Sequence, residues 1–223
     1  MIHSPFQNLR PHDSLVDLCF CVRADDIGSD TDIGHAIGSQ NVVGLIQEHG
    51  SRTHVVREPS SRVLRGDALF TDTPGLTLTI RFADCQNAVI VAPKKRVIGL
   101  VHAGWRGVQS RVMSAAFRLL KDEWGIQPKD VFIGLGPALC TPCAEFTDPE
   151  REVPELREYF QGRCIDLRGA LDAELVDIGV PAENIERLTD CTRCHPETYF
   201  TYRGGDRELV KNGKVNCLAA TLR

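Results

Sequence analysis

Two histidines and one cysteine stand at the ends of strand-like segments in the first half of the chain. They are His49, after the run VVGLIQE, Cys85, after a run that ends at Phe82, and His102, at the end of the following apolar runs. Two imidazoles and one thiolate suit Zn²⁺, and three protein ligands leave a fourth coordination position for water. Zinc lowers the pKa of water bound in such a position to about 7. The residue types therefore indicate a catalytic zinc site with one ion per chain.

The segment between Cys85 and His102 indicates how two of these residues could meet. It is long enough for two antiparallel strands, and Pro93–Lys95 supplies a tight reversal between them. Because a hairpin returns the chain to its starting end, we expect the thiol and the imidazole side by side. Spacing alone leaves His54 as a competing ligand. It also leaves a metal-free cysteine hydrolase as an alternative, with Cys85 as the nucleophile, His102 as its base and His49 dispensable.

The sequence HAGWRG at 102–107 has the composition of an anion-binding turn. Gly104 and Gly107 permit a tight turn with exposed amides, and a helix is predicted to begin near Val108. The amides at a helix start favour an anion, and Arg106 adds a positive charge with fork geometry. Phosphate would fit there. The alternative is that the two glycines only let the helix pack closely on a sheet.

The arrangement of apolar residues predicts a mixed α/β fold. Short runs rich in Val, Ile, Leu and Thr predict strands at 15–22, 42–46, 67–70, 76–82, 88–92, 97–101, 130–136, 185–189, 198–203 and 214–222. Helical spacing predicts a helix at 108–124, ended by Gly125, and two more at about 149–160 and 166–178. The polar, acidic segment 24–34 is expected to be a loop. Hairpins together with crossovers indicate one domain, residues 1–223, with mixed sheets flanked by helices.

Composition argues against several classes of protein. Hydrophobic residues make up 42% of the chain and the net charge is −4, so no basic face for nucleic acid is expected. No apolar stretch approaches the roughly 18 residues of a membrane span. The first residues lack the features of a signal peptide, which predicts a cytoplasmic location. No obligate protein partner is indicated.

Nine cysteines are an unusually large set for such a chain. Without a secretion signal, a disulfide framework is the weaker interpretation. Two CxxC pairs, Cys140/Cys143 and Cys191/Cys194, are compatible with a structural zinc. Their separation is much longer than in a typical zinc ribbon, so we expect buried free thiols there.

Several of these segments together resemble the YfiH, or laccase-domain, family. That family is recognised by Q-x-H-G, A-D-C, H-A-G-W-R-G and G-P segments and by a C-T…S-Y-R stretch near the end. The matching segments here are Gln47-Glu48-His49-Gly50, Ala83-Asp84-Cys85, His102-Ala103-Gly104-Trp105-Arg106-Gly107, Gly136-Pro137, Cys191-Thr192 and Thr201-Tyr202-Arg203. They occur in the family's order and cover residues 40–222, which favours His49 over His54 as the ligand.

The resemblance implies a fold and an activity. It implies a three-layer arrangement of mixed sheets and helices, and zinc-dependent phosphorolysis and deamination of purine nucleosides. Within that activity the metal ligands would be His49, Cys85 and His102, with Cys85, His102 and Arg106 catalytic. Arg106, Arg23 and Arg203 would contact the substrates, a purine nucleoside and phosphate. Family members are also described as copper polyphenol oxidases, although seven histidines and two methionines are a poor supply of ligands for several copper centres.

The chain departs from the family pattern around the expected site. The usual F-S-x-R-x-G-G-x-S segment is replaced by Phe20-Cys21-Val22-Arg23 followed by Ala24-Asp25-Asp26, so residues 1–40 form a divergent part of the domain. Asn87 stands where proline is usual, and Lys214 where a Gly-Arg pair usually supplies arginine. These changes put the substrate preference in doubt and leave a non-catalytic accessory protein as a further alternative.

Overall fold

Two β-sheets packed face to face form the centre of the protein. The structure is a computed structural model, and it describes residues 1–60 and 62–223. In chain order the strands are β1 (Ile2–His3), β2 (Val16–Cys21), β3 (Val42–Gly44), β4 (Thr53–Val55), β5 (Ala68–Thr71), β6 (Thr77–Phe82), β7 (Gln86–Ala92), β8 (Val97–Ala103), β9 (Phe132–Leu135), β10 (Phe160–Gln161), β11 (Cys164–Ile165), β12 (Ile185–Arg187) and β13 (Asn216–Leu222). The helices are α1 (Asp30–Ile37), α2 (Trp105–Gln109), α3 (Val112–Trp124), α4 (Pro149–Glu152), α5 (Leu167–Ile178) and α6 (Arg207–Lys211).

Both large sheets are mixed. The five-stranded sheet has the order β1-β2-β13-β6-β3 and the six-stranded sheet the order β12-β9-β7-β8-β5-β4. Three pairs of neighbours are parallel, namely β3 with β6, β4 with β5 and β9 with β12, and the others are antiparallel. β10 and β11 form a separate antiparallel pair. The prediction of mixed sheets is confirmed.

The alternation of side chains along the central strands produces two cores. In β7, Val89 and Val91 face the five-stranded sheet and pack there with residues such as Leu78 and Leu218. Ala88, Ile90 and Ala92 point the other way, onto α3 and α5. α1 covers the outer face of the five-stranded sheet around Ile33. The fold thus has four layers, two central sheets with helices on both outer faces, where the resemblance implied three. The predicted single mixed α/β domain is confirmed.

The hairpin of β7 and β8 has the predicted antiparallel pairing. Its strands pair from Gln86 with Ala103 to Ala92 with Val97, and the turn between them contains Pro93–Lys95. β2, β5, β6, β9, β13 and α5 also lie where the sequence predicted them, within a few residues. The amino-terminal segment joins the five-stranded sheet through β1 and β2.

Four predictions about the elements are wrong. The segment 24–34, expected to be a loop, contains the first half of α1. The helix predicted at 108–124 begins earlier, at Trp105, and is interrupted where Arg111 has a left-handed backbone with φ of 56°. The helix predicted at 149–160 is the short α4 followed by a 3₁₀ turn that begins at Pro154. Residues 198–203 form turns rather than a strand.

None of the helices in the described part of the chain is both long enough and apolar enough to cross a membrane.

Candidate metal and substrate site

His49, Cys85 and His102 lie together at one end of the β7–β8 hairpin. The ligand atoms of these three residues are all within 4.8 Å of one another. The two imidazole rings meet edge to face, with their centroids 4.8 Å apart. His54 is elsewhere, with its Nε2 atom 2.9 Å from the backbone oxygen of Arg65. The structure therefore groups the three predicted ligands and leaves out the competing histidine.

The β7–β8 hairpin brings Cys85 and His102 together. Cys85 directly precedes β7, and His102 lies near the end of β8, paired with Asn87. Because antiparallel strands place the start of one beside the end of the other, the thiol and the imidazole share one edge of the six-stranded sheet. The pairing register of β7 and β8 alone therefore accounts for the proximity of Cys85 and His102.

His49 reaches the same edge from a loop after β3. Gln47 anchors this loop: its side-chain amide donates to the backbone oxygen of Arg81 over 2.7 Å and its oxygen accepts from the Arg81 amide over 2.8 Å. The His49 backbone has a φ of 61°, a left-handed conformation that is uncommon for a residue with a side chain. This unusual backbone turns the imidazole towards Cys85 and His102.

Asp67, which sequence reasoning missed, holds the left-handed turn in place. Its fully buried carboxylate accepts hydrogen bonds from the backbone amides of His49 (2.9 Å) and Gly50 (2.7 Å). It also lies 2.8 Å from Nδ1 of His102. An ionised carboxylate only accepts hydrogen bonds, so Nδ1 carries the proton and Nε2 is free to bind a metal. Asp67 begins the predicted strand at 67–70, but no local pattern indicated that its carboxylate would be buried and would need partners.

The charges of these groups support one another. Burial alone would raise the pKa of Asp67, but hydrogen bonds from His102 and from the Gly50 and His49 amides hold that pKa below its usual value. Burial would also raise the pKa of the Cys85 thiol, but the nearby His102 and His49 lower it to about 6. Burial opposes the charge on His102, whereas the Cys85 thiolate and Asp67 raise the pKa of its imidazole to about 9. Without a metal, the site thus contains a thiolate–imidazolium pair.

Gly104 leaves room for the three ligands. A Cβ atom at this position would lie 2.8 Å from Cδ2 of His49 and 3.2 Å from Sγ of Cys85. The φ of Gly104 is −63°, so its backbone does not require glycine. Crowding by the side chains of His49 and Cys85 explains why this residue is a glycine. The sequence analysis expected Gly104 to allow anion binding or close helix packing. Its tightest neighbours are instead the side chains of His49 and Cys85.

His49, Cys85 and His102 line a cavity of about 650 Å³. Apolar and aromatic side chains form much of its wall: Leu45, Phe82, Trp105, Leu139, Leu167, Tyr202, Val210 and Val215. Such a wall with a few polar groups is typical of a site for a small organic molecule.

Four arginines also line the cavity, and they differ in how far their charge is already committed. Arg62 and Arg81 both bind Asp30, and the Arg203 guanidinium donates to the backbone oxygen of Glu145. Arg106 is exposed and stacks over the ring of Trp105, 4.1 Å from its centroid. Its guanidinium has no hydrogen-bond or ion-pair partner within the described residues, so it is the arginine most free to hold an anion.

Arg23 occupies a different environment from Arg106 and Arg203. Its guanidinium pairs with Asp206, donates to the backbone oxygen of Tyr199 and stacks over Phe200, 4.5 Å from the ring centroid. It is absent from the described cavity lining. The structure therefore gives Arg23 a local role in joining segments of the chain, and the predicted substrate contact has no geometric support.

Asn87 and Lys214, which depart from the family pattern, are not among the described residues that line the cavity. The buried side-chain amide of Asn87 donates to the backbone oxygen of Pro137 over 2.9 Å. Lys214 pairs with the carboxylate and the backbone oxygen of Asp26, which joins the last part of the chain to the segment before α1. Both departures therefore have structural contacts of their own.

The helix that follows Gly104 is shorter than expected. The sequence predicted that free amides at the start of a long helix would contribute to anion binding. α2 has only five residues, and α3 begins seven residues after Trp105, beyond the break at Arg111. A helix of one turn has too small a dipole to hold an anion by itself, so the charge of Arg106 is the main attraction for an anion at this turn.

Asp84, like Asp67, is a buried acid that supports the site. It precedes Cys85 and is buried, with a left-handed φ of 89°. Its carboxylate accepts from the hydroxyls of Thr192 (2.8 Å) and Thr201 (2.7 Å) and from the amide of Arg203 (2.7 Å). These bonds draw residues 198–203 into turns, and they explain why the predicted strand does not form there.

Comparison with known proteins gives a consistent family. Residues 30–219 match the family model described as multi-copper polyphenol oxidoreductase laccase. The chain is 33% identical over 149 residues to the purine nucleoside phosphorylase YlmD of Geobacillus stearothermophilus. The aligned segment covers 61% of this chain and 54% of that protein. It is 30% identical over 177 residues to the adenosine deaminase RL5 of an unknown prokaryotic organism, covering 70% of this chain and 67% of that protein. The chain thus spans about half the length of YlmD.

The fold also has a solved counterpart. The crystal structure of the Bacillus licheniformis hypothetical protein YfiH superposes with a TM-score of 0.82 at 22% identity, covering 93% of each chain. At this identity the similarity establishes the fold alone.

Proposed function

Because the chain belongs to the family described as multi-copper polyphenol oxidoreductase laccase, we propose that it is a zinc-dependent enzyme that phosphorolyses purine nucleosides and deaminates adenosine. The convergence of His49, Cys85 and His102 at one cavity wall carries this proposal. Relatives at 30% and 33% identity are named for these two activities.

The ligand set suits zinc better than copper. Two imidazoles and one thiolate form a three-ligand set of the kind found in catalytic zinc sites, with a position left for water or substrate. Bound zinc would supply a Lewis acid and lower the pKa of water. A multicopper oxidase needs several centres rich in histidine, whereas His49 and His102 are the only histidines that belong to a ligand cluster within the described residues.

The cavity wall matches the two parts of a nucleoside. The apolar and aromatic side chains would hold the purine, and Arg106 would hold the phosphate against the ribose. In phosphorolysis a phosphate oxygen bonds to the ribose C1′ as the bond to the purine nitrogen breaks, and the base leaves with a proton. In deamination water replaces the amino group of the purine, and ammonia leaves. Arg106 would serve only the first of these reactions.

A metal-free cysteine hydrolase is the second candidate, because the Cys85–His102 pair has the charges of an activated nucleophile. The pKa of the thiol is lowered to about 6 by its histidine neighbours, as nucleophilic catalysis requires. In this mechanism His49 would be dispensable and the enzyme would work after removal of metal.

Product analysis distinguishes these functions. Protein of known metal content is incubated with adenosine, with and without phosphate, and the products are separated by chromatography. We expect adenine and ribose 1-phosphate with phosphate, and inosine without it. Cys85→Ala protein prepared in the same way is the control for contaminating enzymes.

Reconstitution of metal-free protein completes the test. Zinc is expected to restore nucleoside turnover and copper to leave phenols unoxidised under oxygen. Oxidation of phenols with copper, and no turnover of any nucleoside with zinc, would favour the oxidase. A fully active metal-free protein that also tolerates His49→Ala would favour the cysteine hydrolase.

A further inference from the structure

The two CxxC pairs meet in space, although about 50 residues separate them in the chain. The Sγ atoms of Cys140, Cys143, Cys191 and Cys194 all lie within 4.8 Å of one another. The sequence analysis expected buried free thiols, but only Cys191 is buried; Cys140 and Cys143 are half-buried and Cys194 is exposed. Four thiols in one cluster at the surface need a chemical reason.

The distances within the cluster are those of a metal site. Sγ of Cys194 lies 3.9 Å from Sγ of Cys140 and 3.7 Å from Sγ of Cys143. Four sulfurs at about 2.3 Å from a zinc ion form a tetrahedron with edges of about 3.8 Å. A disulfide would instead bring two sulfurs to about 2.05 Å. The spacing therefore fits thiolates around one ion and is too long for a bond between sulfurs.

The backbone around the cluster is arranged to orient the sulfurs. Each pair lies in a tight turn, in which the Cys143 amide donates to the oxygen of Cys140 (2.9 Å) and the Cys194 amide to the oxygen of Cys191 (3.1 Å). The amide of Cys140 also donates to Sγ of Cys191 over 3.2 Å, which links the two turns. Hydrogen bonds to ligand atoms of this kind hold metal ligands in place.

From this juxtaposition we propose that Cys140, Cys143, Cys191 and Cys194 bind a second, structural zinc ion. Four thiolates complete a tetrahedral shell and leave no position for water or substrate, as in structural rather than catalytic zinc sites. None of the four cysteines is among the described residues that line the cavity. The site is independent of the proposed nucleoside chemistry.

The second zinc would link the segments around Cys140 and Cys191, both of which bind Asp84. Leu139, next to Cys140, donates its amide to the backbone oxygen of Asp84 over 3.1 Å. Thr192, next to Cys191, donates its hydroxyl to the Asp84 carboxylate. Asp84 in turn precedes Cys85 of the first site. Zinc at the four cysteines would therefore fix the cavity wall through loops that lack extended strand pairing.

Metal content of the full chain tests the proposal. Purified wild-type protein is expected to contain about two zinc ions per chain, one for each ligand cluster. His49→Ala should remove one of them, and the double variant Cys143→Ser/Cys194→Ser should remove the other, so that each variant retains about one. The double variant should also melt at a lower temperature and become sensitive to protease in the loops around residues 140 and 191.

Cys164→Ser is the matched control. Cys164 is half-buried and lies beside the same loop, with its Sγ 3.7 Å from the oxygen of Pro142, but it is outside the four-cysteine cluster. This variant should retain both zinc ions. Loss of zinc in Cys164→Ser equal to that in the double variant would contradict the assignment of ligands.

His49→Ala protein, which keeps all four cysteines and lacks the first zinc, decides the question if the double variant fails to fold. Its titration with an organomercurial, with the released zinc followed by a colorimetric indicator, should show one ion freed as the four cysteines react. X-ray absorption of His49→Ala protein should show sulfur ligands alone at about 2.3 Å. Iron in place of zinc would overturn the metal identity. The site itself would be overturned if the wild type contained a single zinc that His49→Ala loses. A disulfide between these cysteines in freshly isolated protein would also overturn it.

Discussion

His102 donates a hydrogen bond from Nδ1 to the carboxylate of Asp67 over 2.8 Å. The same carboxylate accepts the backbone amide of His49. One buried acid therefore orients both imidazoles, one through its ring and the other through its backbone. The arrangement follows the pattern in which a carboxylate fixes the tautomer of a metal-binding histidine.

Replacing Asp67 by asparagine is expected to weaken metal binding while leaving the ligands unchanged. The amide has similar shape, but its nitrogen cannot accept the bonds that both carboxylate oxygens accept here. We expect Asp67→Asn to lower zinc affinity ten- to a hundredfold, as is typical when such a supporting group is lost. Competition with a chelator of known affinity measures the effect.

Asp72→Asn is the control for this variant. Asp72 follows β5 at the opposite end of the strand and binds Arg57 and the indole of Trp124, away from the ligands. It should leave zinc affinity unchanged. Equal zinc affinity in Asp67→Asn and the wild type would show that Asp67 does not position the ligands.

Alanine at each ligand position is expected to remove the zinc of the first site. His49→Ala, Cys85→Ala and His102→Ala each leave two ligands, too few for a stable three-ligand site. His54→Ala should retain the metal, because the imidazole of His54 bonds to a backbone oxygen outside the cluster. Elemental analysis gives the metal content, and circular dichroism should show an intact fold. A zinc content equal to that of the wild type in all three ligand variants would refute the site.

Gly104→Ala is expected to disturb the same site without altering any ligand. The added Cβ would lie 2.8 Å from the His49 ring, which is closer than a carbon can approach, so the imidazole must move. We expect zinc affinity to fall by about tenfold or more. Gly50→Ala is the control, since among the described residues the nearest atom to its Cβ would be a carboxylate oxygen of Asp67, at an ordinary 3.7 Å. Similar zinc affinity in the two variants would mean that Gly104 is not kept small by the ligands.

The central strands could be predicted because burial leaves a direct mark on the sequence. β7 and β8 are continuous apolar runs separated by Pro93–Lys95, and this pattern predicted both the hairpin and the meeting of Cys85 with His102. The convergence of His49 required the family resemblance, since a loop, rather than a strand end, delivers it.

The wrong predictions come from residues whose effect depends on context. The acidic residues in 24–34 predicted a loop. The Ser29 hydroxyl instead accepts a hydrogen bond from the amide of Asp32, and acids in the first turn of α1 interact favourably with the helix dipole. The break at Arg111 leaves no trace in the apolar spacing, because Val108 and Val112 on either side bury into the same core. By contrast, Pro154 could have indicated the end of α4, since proline disfavours a helical residue before it.

Contacts between distant segments determine the remaining parts of the site. Asp67 and Asp84 each bind groups from other segments, and no local pattern shows which acid will be buried with partners. The four-cysteine cluster likewise needs the fold, because about 50 residues separate its two halves.

The reactivity of Cys85 in metal-free protein is expected to report its charge state. Burial opposes ionisation, but His102 and His49 lower the pKa of the thiol to about 6. A lowered pKa means that the thiolate persists above pH 6 and is lost as the pH falls through that value. Alkylation of Cys85 by iodoacetamide should therefore be half-maximal near pH 6 and nearly constant from pH 7 to 9, as measured by peptide mass spectrometry.

A small reference thiol and zinc provide the controls. The alkylation rate of an ordinary cysteine with a pKa of about 8.5 should rise roughly tenfold for each pH unit until the pH reaches that value. Zinc should suppress alkylation of Cys85 at every pH at which it binds. Parallel pH profiles for Cys85 and the reference thiol would show that no thiolate–imidazolium pair exists.

The last prediction separates the two proposed reactions at Arg106. Its guanidinium is held over Trp105 at the cavity wall, and no described residue satisfies its donors. Phosphate takes part in phosphorolysis and not in the attack of water on the purine, so Arg106→Ala should raise the phosphate KM and spare deamination. Loss of one charge-assisted contact should cost about 2–3 kcal/mol, or roughly 30- to 160-fold in KM. Arg106→Lys should recover part of the loss, because it restores the charge without the fork.

Steady-state kinetics of both reactions on zinc-loaded protein measures the separation. An equal loss of both activities would mean that Arg106 contacts the nucleoside or shapes the cavity, and an unchanged phosphate KM would make Arg203, the other predicted contact on the cavity wall, the next residue to test.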